Sequence, residues 1–398
     1  MKRSEHRILT THVGSLIRPA ELLEALAGIR GRSPVSDGRF IEILGRAIKV
    51  VVRKQVDAGI DIINDGEFGK SSWANYILER ISGFENRPHQ KAPVEWLGRD
   101  LQRFDEFFAR EMPFANEGLP VDACTGPIAY TDTLPIDENI RLLKQALESV
   151  SATEAFLTTV APASAAFTGV NEYYPSERDY VFALAEALRT EYRKVNDAGL
   201  LVQVDDAVLA NMYDSLVRQS PERYREWAEL RIEALNHALR GIPEDRVRYH
   251  VCFGSWHVPH VADAPLSEIV NLILRVRAGA YSIEAANPRH EHEWRVWQEV
   301  KLPEGKILIP GVITHHTTTV EHPQVVADRI VRFAGAVGRE NVIAGTDCGF
   351  AQAQSLERVH PQVMWAKLES LVEGARLATK TLWRRVAVFI SDFNKECL

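Results

Sequence analysis

No stretch of the chain reaches the roughly 18 consecutive apolar residues that a membrane-spanning helix needs, so a membrane partner is not expected. Cysteine is scarce, with four in 398 residues, too few for a disulfide framework. In a reducing compartment those thiols stay free for metal or nucleophilic work. Basic blocks are absent as well: the formal charge is −7 with both signs interleaved, which argues against nucleic acid. The chain contains no G-x-G-x-x-G or Walker pattern for a nucleotide and no H-E-x-x-H helix for zinc. Internal repeats and low-complexity tracts are missing, so no second domain boundary is drawn. The start, Met1-Lys-Arg-Ser-Glu-His-Arg-Ile-Leu, has no apolar h-region, and the expectation is a cytoplasmic protein.

What is present is an ordinary globular composition, 45% hydrophobic and 25% charged. Short β-rich runs alternate with longer helical ones, the pattern of a parallel sheet covered by helices. Strands are predicted at Arg7 to Val13, Ile60 to Asn64, Pro120 to Cys124, Glu154 to Val160, Leu200 to Val204, Val247 to Val251, Ala280 to Ile283, Lys306 to Ile309 and Asn341 to Ala344. Nine strands for eight staves means that one is misread or sits outside the barrel. The reading is an α/β fold, a single (β/α)8 TIM barrel spanning residues 1–398. Residues 83–118, which carry Trp96, Phe104, Phe107, Phe108 and Phe114, are read as an insertion after the second strand near the barrel mouth. A helix packed on the outside by its aromatic face is the alternative.

In such a barrel the working groups come from the C-terminal ends of several strands. Polar residues end the apolar runs at His12 and Ser15, Glu67, Asp205 and Asp206, His250 and Cys252, Glu284, and Asp347 with Cys348. Residues i and i+2 of a strand point the same way, so His250 and Cys252 can grip one ion from a single stave. An isolated H-x-C triplet arises by chance, and a buried cysteine beside a hydrogen-bonded histidine is its ordinary meaning. Glu284 and Cys348 at later strand ends complete a four-ligand N/O/S set that suits tetrahedral zinc. Two thiolates and a carboxylate leave a dication site net negative, poor for making hydroxide but suited to holding a thiol as thiolate. The expected chemistry is alkylation of sulfur by an incoming carbon electrophile. Cys124 is read as a buried structural thiol, and Cys397 lies outside any apolar pattern.

Taken together, these runs resemble the catalytic barrel of the cobalamin-independent methionine synthase family. The resemblance is carried by Thr10-Thr-His-Val-Gly-Ser-Leu, Asp65-Gly-Glu-Phe, Gln203-Val-Asp-Asp, His250-Val-Cys, Tyr281-Ser-Ile-Glu, Gly311-Val-Ile-Thr-His-His and Gly345-Thr-Asp-Cys-Gly. It implies His250, Cys252, Glu284 and Cys348 as zinc ligands, and methyl transfer to homocysteine in methionine biosynthesis. It further implies a thiol amino acid lying against the backbone near Gly14 and Ser15, with its ammonium held by Glu67 and Asp205. His316 falls at the family's proton-relay histidine, where protonating the leaving group would raise electrophilicity at the transferred carbon. His12, His257 and Asp347 are expected to support the ligands.

The local texture is similar to the short branch of the family, which includes epoxyalkane:coenzyme M transferase. Phrases of that character are Cys252-Phe-Gly-Ser-Trp-His, Ala285-Ala-Asn-Pro-Arg-His-Glu-His-Glu-Trp and Val320-Glu-His-Pro. There the thiol is a sulfonate and the electrophile an epoxide, which makes His257, His260, Arg289, His290 and His292 candidate anion contacts. The chain departs from the methionine synthase pattern at Asp205-Asp-Ala-Val, at Asn211 in place of an acidic pterin contact, and at Ala161-Pro-Ala-Ser-Ala-Ala-Phe, which has no tryptophan. These departures leave the donor open between folate, epoxide and another alkyl carrier. The reading is zinc-dependent transfer of a methyl or other alkyl group to a small homocysteine-type thiol, with thiol addition to an epoxide as the close alternative. A zinc hydrolase built on His290, His292, His315 and His316 is a lower alternative, as is a fully enclosed, non-catalytic zinc site. The partners are a small-molecule thiol and an alkyl donor, and a homo-oligomer is left open.

Overall fold

The computed structural model describes residues 1–28, 37–165, 167, 169–354 and 356–383, so Cys397 lies outside the described residues. Eight parallel strands form one sheet: β1 (Leu9–Thr10), β2 (Ile62–Ile63), β3 (Glu154–Val160), β4 (Leu201–Asp206), β5 (Val247–Val251), β6 (Ala280–Ile283), β7 (Ile307–Ile313) and β8 (Ile343–Thr346). Their hydrogen-bonded order is β1-β8-β7-β6-β5-β4-β3-β2, and a parallel bridge from Thr11 to Ile62 closes β1 onto β2. The TIM barrel read from the sequence is therefore formed. The ninth predicted strand, Pro120 to Cys124, is the one outside it. As Leu119–Cys124 it runs between Phe84–Ala92 and Gly169–Asn171 in a separate three-stranded sheet. An apolar run reports that a strand is half or wholly buried, and says nothing of which sheet it joins.

Every barrel strand except β5 contributes to one compact cluster, Leu9, Ile62, Phe156, Leu201, Ala280, Ile307, Ile309 and Ile343. From β5 comes Arg248 instead, wholly buried, its guanidinium 3.9 Å from the centre of the Phe156 ring. It donates to Thr11 Oγ1 and to His12 O, both at 3.0 Å. Burial lowers its pKa to about 9 against the opposing charges of Asp205 and Glu154. Two residues on, the same inward face carries buried polar groups, Thr11, Gln203, His250 and Ser282. Two further on it carries Asp205, Cys252 and Glu284, so polarity rises towards the C-terminal ends of the strands. The opposite face, with Val202, Val204, Tyr249, Val251, Tyr281 and Ile283, packs into the large core shared with the helices.

Among the covering helices are Gly38–Asp57, Glu177–Asp197, Pro221–Ala238 and Pro323–Val337. Asp37, Ser176 and Ser220 begin the first three by accepting from first-turn N–H groups. His322 and His360 do the same before a proline, for Pro323–Val337 and Pro361–Leu382. The Glu-His-Pro phrase at 321–323 is accordingly a helix start. Between β2 and β3 the chain runs through Phe84–Ala92 and the short helices Asp100–Arg103, Asp105–Glu111 and Phe114–Glu117. Trp96 and Phe114 of this excursion pack on Trp256, beyond β5, with ring centroids 5.4 and 5.6 Å apart. No helix among the described residues is long and apolar enough to cross a membrane.

Candidate active site

His250 and Cys252 leave the end of β5 on its inward face, and Cys348 follows β8. Their ligand atoms all lie within 4.8 Å of one another, and the two sulfurs are 3.5 Å apart. Ser255 Oγ donates to Cys348 Sγ at 2.8 Å, and Gly254 N donates to Cys252 Sγ at 3.2 Å. The hydrogen bond from Cys252 draws Cys348 well below its usual thiol value, outweighing desolvation, with His250 and Ser255 adding to the effect. The same shared proton, with burial, pushes Cys252 well above. Of the two, Cys348 is the sulfur that more readily stands as thiolate. His250 Nδ1 is bonded to Ser282 Oγ at 3.2 Å, while the buried Nε2 faces Cys348 short of hydrogen-bond geometry. An orphaned buried nitrogen costs on the order of 1–3 kcal/mol. A soft N/S donor set with one free lone pair fits zinc.

Glu284, the fourth predicted ligand, stands beside this group and is not one of its members. It approaches Cys252 on one side. Its Oε1 accepts from Phe253 N at 3.1 Å and its Oε2 from Asn287 Nδ2 at 3.0 Å. Burial, then the charges of Asp347 and Cys348, raise its carboxyl well above the usual range. Asp347 fixes the chain after β6 by accepting from Ala285 N and Ala286 N, both at 2.7 Å. Gly311 has no room for a side chain: a Cβ there would run into Asp347 Oδ1 and lie 2.6 Å from its Cα.

A cavity of about 520 Å³ opens over the cysteines, with Ser15, Glu67 and Asp205 in its wall. Glu67 has a φ of 59°, left-handed and uncommon for a residue with a Cβ, the kind of backbone strain that collects at working sites. Gly14, at φ 149°, lets the backbone pass close: a Cβ would sit 2.5 Å from Glu67 Oε1. Burial raises Asp205 to about 7, with His250 opposing, Glu67 adding and Lys70 opposing. Two buried cations beneath this wall escaped the sequence reading. Lys70 Nζ donates to Thr158 O and Oγ1 at 2.7 and 2.6 Å, and Arg18 donates to the carbonyls of Glu67 and Lys70 at 2.8 and 2.9 Å. Neither ends an apolar run, so no local signal marks them. Across the cavity stand Trp73 and Phe167, stacked at 6.2 Å, with Phe114, Trp256, Asn211 and Arg358. These too are assembled only by the fold.

His12 is buried away from the cavity lining, 2.7 Å from Gln55 Oε1 and edge-on to Phe156, and burial lowers it to about 4. His257, His260, Arg289 and His316 border a second cavity of about 490 Å³. Burial, then the charges of His260, His257 and Arg358, lower His316 to about 3, so it rests neutral and would take up a proton only to pass it on. His290 is no anion contact: both ring nitrogens are engaged, with Asp263 at 2.9 Å and Glu293 at 2.8 Å, and the ring stacks on Phe253 at 3.8 Å. His292 is exposed, and no metal-ligand cluster among the described residues joins either to His315 and His316. That removes the ligand set of the hydrolase reading.

Burial alone would lower His290, but hydrogen bonds to Asp263 and Glu293 and their charges raise it to about 10 from 6.5. A histidine with a raised folded-state pKa contributes stability that is complete below the unfolded value and is lost as pH rises through the folded one. The melting midpoint is therefore expected to fall between pH 6.5 and pH 10, and His290→Gln to flatten that slope. A wild-type slope unchanged by the substitution would show that the ion pair contributes nothing.

The profile of the cobalamin-independent synthase catalytic domain matches residues 127–375. A methionine synthase of Saccharolobus islandicus is 25% identical over 379 residues, covering 94% of this chain and 96% of that protein. Those of Sulfurisphaera tokodaii and Thermococcus kodakarensis are 26% and 24% identical, covering 94% of this chain and 93% and 94% of their own. Among solved structures, a B12-independent methionine synthase from Shewanella in complex with selenomethionine aligns with a TM-score of 0.70 at 19% identity, covering 94% of this chain and 99% of its own. A putative vitamin-B12 independent methionine synthase from Listeria monocytogenes aligns at 0.62 with 22% identity, covering 93% and 98%. At such identities the structural likeness speaks for the fold.

Proposed function

The chain belongs to the cobalamin-independent synthase family, a family of methyltransferases, and from that premise we propose that it methylates the sulfur of a homocysteine-type thiol with zinc held by His250, Cys252 and Cys348. The observation that carries this reading is the convergence of two sulfurs and an unpartnered His250 Nε2 at the cavity wall. Zinc bound there would take the substrate thiol as its thiolate, a good sulfur nucleophile at neutral pH. Glu284, beside Cys252, is the fourth ligand in this reading.

The chain's own residues do the rest. Glu67 and Asp205 hold the substrate ammonium by charge-assisted hydrogen bonds, next to the backbone at Gly14 and Ser15. Asp205 is poised for this, since a bound ammonium repays the burial that now raises its pKa. The wall of Trp73, Phe167, Phe114 and Trp256 offers flat apolar surface to a methyl donor and keeps water from the sulfur. Residues 83–118, which supply Phe114, act as a cap on this mouth. His316 would pass a proton towards the donor's leaving atom. Nothing in the relatives compared favours the epoxide alternative.

The test is methionine formation from homocysteine with a panel of methylated folates and other methyl carriers. Glu67→Gln and Asp205→Asn are each expected to raise the KM for homocysteine by about 10- to 100-fold, the loss of one charge-assisted bond of roughly 1.5–3 kcal/mol. Zinc content should stay unchanged. No methionine with any donor, or an unaltered KM, would overturn the assignment.

A further inference from the structure

Beside the cysteine pair lies a second group of potential ligands that the proposed reaction does not use as such. A carboxylate oxygen of Glu284 and one nitrogen each from His315 and His316 lie within 4.8 Å of one another. His315 is wholly buried and neither of its nitrogens has a hydrogen-bond partner; His316 Nε2 is buried and unpartnered as well. Buried polar atoms nearly always find a partner. A cation bound by one nitrogen from each histidine would relieve part of this deficit, while the carboxylate supplies charge that a neutral occupant would not need.

We propose that Glu284, His315 and His316 bind a second divalent cation of the borderline class, such as Zn²⁺ or Co²⁺. Two imidazoles and a carboxylate are the donor set such ions prefer, and three protein ligands leave a coordination position open. Ligands at about 2.1 Å from one tetrahedral ion stand about 3.4 Å apart, so side chains now within 4.8 Å of one another close by at most about 1.4 Å on binding it. The two histidines follow directly on β7 in Gly311-Val-Ile-Thr-His-His, with ring centroids 3.9 Å apart. His316 also borders the 490 Å³ cavity with His257, His260 and Arg289, which gives an ion a route to the site.

Glu284 also approaches Cys252, and a carboxylate has lone pairs enough for two ions. The carboxylate then bridges two metals, one sulfur-rich and one histidine-rich. The bridging rests on the proposed zinc at the cysteines; the second site does not. A cation on His316 occupies a nitrogen lone pair that proton transfer would use, so His316 acts as the proposed relay only when this second site is empty.

The experiment titrates metal-free full-length protein with Co²⁺, counting bound metal after gel filtration and following the thiolate-to-cobalt charge-transfer band. The expected result is two equivalents per chain, of which only one produces the band. His315→Ala, and separately the partly exposed and better tolerated His316→Ala, should bind one equivalent with the band intact. Cys252→Ser should weaken the band while the second equivalent survives, which separates failure of the zinc-thiolate reading from failure of this one. A single equivalent in the wild type, as a water-filled site would give, overturns the proposal. So do folded His315→Ala and His316→Ala proteins that still bind two.

Discussion

Cys252→Ser is expected to lose the sulfur-bound equivalent of zinc and to lower kcat/KM for methyl transfer by at least about 10³-fold. The magnitude follows from removing metal activation, which supplies several kcal/mol at 1.36 kcal/mol per tenfold in rate. Serine keeps the shape of the side chain, so the barrel should fold, but its hydroxyl is a harder donor that holds its proton near neutral pH. The loss also breaks the shared proton that draws Cys348 down, leaving that thiol with His250 and Ser255 as its stabilising partners. Metal analysis and homocysteine turnover of the same preparation check the prediction together. Full zinc and full activity in the variant would remove Cys252 from the ligand set.

The largest effect on stability is expected from Glu191→Ala, about 3–5 kcal/mol by urea unfolding. Glu191, on the helix Glu177–Asp197, is wholly buried and 3.2 Å from the equally buried Arg80. It also accepts from the hydroxyls of Tyr76 and Tyr130 at 2.6 and 2.7 Å. Truncation leaves a guanidinium without its counter-charge and two phenols without an acceptor, in a place water does not reach. Glu191→Gln keeps an acceptor for the tyrosines and should cost less. The network also matters to the site, because Tyr76 and Arg80 lie in the segment that begins with Trp73 and Asn75 on the cavity wall. A change below about 1 kcal/mol for Glu191→Ala would place the pair among those that contribute little.

Strand ends were the most legible part of this chain. A strand alternates sides with every residue, so once β5 is located, His250 and Cys252 must share its inward face with Arg248. The same period puts Asp205 above Gln203 and Glu284 above Ser282. The excess strand at Leu119–Cys124 was not legible, because burial pattern carries no address. His290 looked like a surface anion contact from its charged neighbourhood, yet Asp263, 27 positions away, closes over it. Glu284 was read as a ligand on a par with the cysteines, whereas packing brings its carboxylate to His315 and His316 as well.

What the sequence by itself determined is the barrel, its strand ends and the kinds of atom those ends present, because these follow from local periodicity and side-chain chemistry. What only the tertiary structure decided is which of those atoms meet. Closure of β1 onto β2 and the pairing of β8 with β7 bring Cys348 to Cys252, and the fold sets Trp73 and Phe167 in the wall of the same cavity. Those distances depend on how eight strands pack around one interior, a property that no single segment carries.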